Sequence, residues 1–439
     1  MYNQNKKVIA AMAIAAGAAA QTVTIPLGET VATPYTAPVF STIQPNSAEV
    51  FAAQATATAN VFDQPYVPGA AFDRIIHVWL ENTDYDKAIG QSDLAYLTTQ
   101  GLTLTNYFGV THPSHPNYLA SSGGSYFGLD EDTFTSLPSN ISSIADILDA
   151  GGISWGEYQE GMPYSGYQGF QWLNEESQAN DYVRKHNPLI FYQSVTNNLT
   201  RLANIKNFTL FDEDLQNQQL PQWSFVTPNM TDDGHDTTIE FAGEWVGRWL
   251  TPKLNDTYFT NRTIIVLTFD ETEDYTIPNN VLTIVLGDIP DNLRNTTDDT
   301  FYNHYSLIST VEANWGLYNL GRGDCGANVF NFVAEQVGYT NTYDPNTAVY
   351  YQNESTIGYL SDSNIPLLSP NLTCVGAGSK GVLPAIVDIW GAETSTNSSS
   401  TGTSNTTVNT ATPSAPNSAA KTTGAGLLAA LVAALAFVM

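Results

Sequence analysis

The sequence predicts an α/β fold, a three-layer sandwich with a mainly parallel central sheet, and three observations carry that prediction. Short, wholly apolar stretches such as Thr263-Ile264-Ile265-Val266-Leu267-Thr268-Phe269 alternate with stretches of helical period. Strands apolar on both faces belong to sheets covered by helices on both sides. Polar clusters follow these runs, where open α/β sheets place their ligands. The 439 residues are 42% hydrophobic and 11% aromatic, enough for a sizeable core.

The ordered region is expected over residues 70–384. Asp73 through Leu80 reads as a buried strand, stopped by Glu81-Asn82-Thr83-Asp84. Residues 85–100 suit a helix, and Leu102 to Phe108 a second strand that leads into Thr111-His112-Pro113-Ser114-His115-Pro116-Asn117-Tyr118. Ser142 to Ala150 is helical in pattern with Gly151-Gly152 as its stop, and Ile153 to Glu157 is a strand. Trp223 to Thr227 is a short strand ending in a polar run from Pro228 to Asp236. Thr238 to Leu250 follows as an amphipathic helix with Phe241, Trp245, Val246 and Trp249 on one side. After Thr263–Phe269 comes Asp270-Glu271, then a strand from Val281 to Leu286, and Asn303-His304-Tyr305 opens a helix. There is no internal repeat.

Both ends carry addresses. Lys6 and Lys7 precede an apolar run closing at Ala18-Ala19-Ala20, the pattern of a signal peptide over residues 1–20. Residues 21–69, rich in Ala, Thr, Pro and Val, read as an N-terminal arm. Residues 385–417 read as a Ser/Thr-rich, O-glycosylated stalk, and 418–439 as a GPI-attachment signal whose apolar tail is short for a membrane span. Eleven Asn-x-Ser/Thr sequons, from Asn140 to Asn405, agree with secretory passage. A glycoprotein at the cell surface or wall, reaching membrane or wall only through that anchor, is expected. In that compartment Cys325 and Cys374, the two cysteines, read as one disulfide. Net charge is −28, from 43 acidic and 15 basic side chains, which disfavours nucleic acids and anionic membranes as partners.

The chemistry gathers at Ser114. Pro113 and Pro116 suit a turn or a first helical position, so Ser114 would sit where free N–H groups and the helix dipole favour an oxyanion. Glu81-Asn82, Asn229 through Asp236, Asp270-Glu271 and His304 complete a set of hard ligands that suits a divalent cation able to hold Ser114 as its alkoxide. Singly, each has a plainer reading: Ser-x-Pro is common in surface turns, Asp-Glu after a strand is often a solvated loop, and a lone His304 is more often a structural hydrogen-bonder. Their joint placement is the argument.

With these motifs in order, Leu80-Glu81-Asn82, His112 to Tyr118, Thr227-Pro228-Asn229 with Asp233-Gly234-His235-Asp236, Phe269-Asp270-Glu271 and His304-Tyr305-Ser306-Leu307, the chain resembles a phosphoesterase family. That family joins acid phosphatases with phospholipases C on the alkaline-phosphatase-like fold. The resemblance runs from about Phe72 to Gly338 and is greatest to secreted fungal acid phosphatases. It implies a nucleophile at Ser114, phosphorylated during turnover. It implies metal ligands at Glu81, Asn82, Asp270 and Glu271, with Ser114 beside them, and one divalent ion rather than two, because Asp270-Glu271 and Asn229 depart from the two-metal pattern. Asn117, Asn229, His235 and Asp236 would line the phosphate pocket. His304 matches a pocket histidine too, and it joins His112 and His115 as a candidate to protonate the leaving group. The expected partners are small phosphomonoesters. The alternatives are a phosphodiesterase or phospholipase C on the same fold, with residues 158–195 making room for a second substituent, and a catalytically silent wall glycoprotein.

Overall fold

A computed structural model describes residues 35–174, 176–342 and 355–398. The predicted signal peptide, the first part of the arm, the later part of the stalk and the attachment signal lie outside them.

The centre of the molecule is an eight-stranded sheet. Its strands are β1 (Arg74–Leu80), β2 (Leu102–Leu104), β3 (Trp155–Gln159), β4 (Ile205–Asn207), β5 (Trp223–Thr227), β6 (Thr263–Phe269), β7 (Thr283–Gly287) and β8 (Thr296–Asp298). They lie in the order β8-β2-β7-β6-β1-β5-β3-β4. All neighbours are parallel except those of β7, which runs antiparallel to both β6 and β2. The predicted α/β class with a mainly parallel sheet is what the structure has. The reversal at β7 follows from its connection, because no helix lies between Phe269 and Thr283 to carry the chain back for a parallel entry.

β1 and β6 are buried along their whole length, which is why the sequence gives them no polar alternation. Each buried Val, Leu or Ile side chain there contributes roughly 1.5–3 kcal/mol. Trp79, Trp155 and Trp223 are among the largest fully buried side chains.

Two predicted elements divide. The helix expected over 85–100 is two, Tyr85–Gly90 and Ser92–Gln100, because Gln91 adopts an extended conformation and its side chain caps the second through Asp93 N (2.7 Å) and Leu94 N (2.9 Å). The strand expected from Leu102 to Phe108 also breaks, and Tyr107–Phe108 pairs separately with Tyr302–Asn303. Within the arm, Ser47–Gln54 is a helix with an Asn46–Glu49 capping box, and Phe40 stacks on Phe134 at 4.6 Å. At the other end the helix Pro384–Ser398 enters the stretch read as stalk, held by buried Ile386 and Trp390. Cys325 and Cys374 form a disulfide.

Candidate active site

The site grows from the carboxyl ends of adjacent strands. β1 and β6 are in register with Leu80 opposite Phe269, so Glu81 and Asp270 leave the sheet side by side. Asp270 N donates to Leu80 O (3.1 Å), and Asn82 N donates to Asp270 Oδ1 (3.0 Å). That second bond needs Asn82 at φ 43°, a left-handed conformation that asparagine tolerates better than most residues. From the loop after β5, Asp233 joins them through its carbonyl, which accepts from Glu81 N at 3.0 Å.

Ser114 is the first residue of the helix Ser114–Gly123, with Pro113 as its N-cap. Its Oγ lies between two carboxylates, 3.1 Å from Glu81 Oε2 and 3.3 Å from Glu271 Oε1. The loop before it is held by Asn117, whose Oδ1 accepts from Val110 N (2.9 Å) and Thr111 N (3.1 Å) while Nδ2 donates to Thr111 O (2.8 Å). Tyr118 donates from its hydroxyl to Glu81 Oε1. His112 Nδ1 lies 2.7 Å from Glu271 Oε2, and its ring stacks on Tyr275 at 3.8 Å.

Glu81, Asp233, Asp270 and Glu271 are all almost wholly buried. Burial, then their mutual repulsion, raises the carboxyls of Glu81 and Glu271 well above the ordinary range; burial is likewise the first cause at Asp233 and Asp270. His186, also buried, places Nε2 3.3 Å from Glu81 Oε2 and Nδ1 3.5 Å from Asp233 Oδ2. Glu81, His186 and Asp233 offer ligand atoms that all lie within 4.8 Å of one another. Asp233 Oδ2, His186 Nε2 and Asp270 Oδ2 make no hydrogen bond. Buried acceptors without partners, in a cluster of negative charge, fit a divalent cation.

Residues 91–318 match the Phosphoesterase family. The chain belongs to that family. A probable acid phosphatase of Kluyveromyces lactis is 53% identical to this phosphoesterase over 364 residues, 82% of this chain and 86% of that protein. An acid phosphatase of Aspergillus fumigatus is 52% identical over 313 residues, 70% of each chain. A solved alkaline phosphatase superfamily structure from Vibrio parahaemolyticus aligns at 12% identity and a TM-score of 0.36, over 62% of this chain and 76% of that one, and adds nothing to the assignment.

Within the phosphoesterase, the predicted site residues divide. Glu81, Ser114, Asp270, Glu271 and His112 come together. Asn82 meets the site through its main-chain N–H. Asn117, expected to touch substrate, spends both ends of its amide on the loop before Ser114, with a further bond to Glu271 Oε2 at 3.3 Å. His304 is likewise committed, with Nε2 2.6 Å from Asp270 O and Nδ1 3.1 Å from Tyr107 OH. His115 packs against Phe191 with ring centroids 4.4 Å apart. Asn229 makes a turn, its Oδ1 accepting from Thr231 N (2.9 Å) and Asp232 N (2.8 Å). His235 and Asp236 pair with each other at 2.9 Å in a half-buried position. The structure adds His186 and Asp233 to the cluster, and Lys185 and Asp132 beside it.

Proposed function

We propose that this phosphoesterase is an acid phosphatase that hydrolyses phosphate monoesters through a phosphoserine at Ser114. The observation that carries the reading is Ser114 Oγ, at a helix N-terminus and the carboxyl end of the sheet, with Glu81 and Glu271 both within hydrogen-bond reach. The names of the relatives support it. Ser114 Oγ forms a bond to phosphorus as the ester oxygen leaves. The hydroxyl proton passes to Glu271, which burial has made more basic. Through the 2.7 Å contact of Glu271 Oε2 with His112 Nδ1 the two side chains relay a proton, and the imidazole gives one to the departing oxygen. Water then attacks the phosphoserine and gives its proton to His112, and phosphate is released as Ser114 Oγ takes a proton back from Glu271. Glu81, His186 and Asp233, with Asp270 alongside, would hold a divalent ion, which would supply positive charge to the phosphoryl oxygens.

The same proposal places the enzyme outside the cell or on its surface by GPI attachment; the sequons and the Cys325–Cys374 bond support that address. Tyr158, Tyr182 and Phe191, in the region considered for a second ester substituent, are buried, and no observation favours a diesterase. The test is hydrolysis of p-nitrophenyl phosphate and its bis-ester by wild type and Ser114→Ala. Wild type should prefer the monoester, the variant should be inactive but folded, and acid-quenched wild type should carry phosphate on Ser114. Phosphate on a histidine, or an active Ser114→Ala, would sink the reading.

A further inference from the structure

Lys185 and His186 are consecutive in a single turn, Arg184–His186, so the residue next to the cation cluster is itself a cation. Its Nζ lies 2.8 Å from Asp132 Oδ2 and 3.3 Å from His235 Nε2. Asp132 reaches the other way as well, accepting at Oδ1 from His115 N (3.1 Å), the amide directly after Ser114. The ammonium is thereby moored to the first turn of the nucleophile helix. Its side chain is 15% exposed, at the edge of the site rather than sealed within it. Asp132 and His235 take two of its three donors. Five carboxylates, Glu81, Asp132, Asp233, Asp270 and Glu271, surround this position, a field that repels an incoming phosphate anion.

We propose that Lys185 binds the phosphoryl oxygens of the substrate at the entrance to the Ser114 site and that Asp132 and His235 position it. The inference rests on the phosphatase reading and deepens it, because a fixed point charge favours the dianion of a monoester over the monoanion of a diester. Losing one charge-assisted contact weakens binding by about 10- to 100-fold.

The test is Lys185→Met in the full chain, with Lys185→Arg as the conservative control. KM for p-nitrophenyl phosphate and the calorimetric Kd for inorganic phosphate should both rise about 10- to 100-fold, with kcat changed far less, since binding common to ground and transition states is lost. Hydrolysis of the bis-ester, a monoanion, should lose less than that of the monoester, and Lys185→Arg should recover most of the phosphate affinity. Unchanged KM and Kd in a folded Lys185→Met protein would overturn the role of Lys185 while leaving the phosphatase reading intact. A wild type inactive on any phosphomonoester would sink that reading instead. If Lys185→Met does not fold, Asp132→Asn, which unmoors the ammonium and keeps its charge, must raise the phosphate Kd, and an unchanged value there overturns the proposal.

Discussion

His112, His115 and His304 are each buried, and burial pushes the first and last down to about 4 and His115 to about 3, yet their neighbours give them different work. His112 faces Glu271, His304 bonds the Asp270 carbonyl, and His115 lies on Phe191. His112→Asn should therefore cost roughly 100-fold or more in kcat on an alkyl phosphate, and much less on p-nitrophenyl phosphate, whose leaving group needs no proton. His304→Asn should slow both substrates equally, because it displaces Asp270. Equal losses from His112→Asn on the two substrates would remove it as proton donor. Ser114, Glu81, Asp270 and Glu271 were legible in the sequence because prolines frame the serine and apolar runs stop at the acids. Lys185 and His186 were not, since a three-residue turn has no period. Asp233 was visible only as one of three acids, Asp232, Asp233 and Asp236, and linear pattern does not say which turns inward.

Elements entirely enclosed by others were read well: β1, β5 and β6 fall within a residue of expectation. What escaped was set by single side chains, such as Gln91 ending one helix to cap the next. The same elements sort the sequons. Asn261 precedes β6 and Asn295 precedes β8; both are exposed, at the amino ends of strands and so opposite the Ser114 end of the sheet. Asn140 is buried, Asn207 donates from its amide to Met162 O, and Asn229 donates to Asp232 Oδ2 at 3.1 Å. Glycopeptide mapping after expression in a glycosylating host should find glycans at Asn261 and Asn295 and none at Asn229. High occupancy of Asn229 in active protein would contradict this account of the β5 loop.

Over the whole molecule, acid has opposing effects. Lowering the pH relieves the self-repulsion of a chain at −28 but penalises buried neutral histidines. His77, packed beside Trp223 and Phe225 and away from the site, is pushed by burial down to about 3. Below about pH 6.5 the unfolded chain takes up a proton there that the folded chain refuses. Stability from this residue is complete above that pH and falls, by about 1.4 kcal/mol per unit, until pH nears 3. His77→Leu should flatten the dependence of the urea midpoint on pH between 6.5 and 4; a slope equal to wild type would show that His77 is protonated in the native state.

The cystine has a reach beyond its own neighbourhood. Cys325 and Cys374, 49 residues apart, bracket Ser355, whose hydroxyl donates to the His112 carbonyl (2.8 Å) and lies 2.9 Å from Thr111 Oγ. Opening a ring of that size returns on the order of 4 kcal/mol of chain entropy to the unfolded state, and it slackens a tether tied to the backbone on which the nucleophile is mounted. Reduction and alkylation should thus abolish turnover at temperatures where circular dichroism still reports an intact fold. Activity that survives until the protein melts would mean that Ser355 keeps its place without the bond, and that redox state governs durability alone.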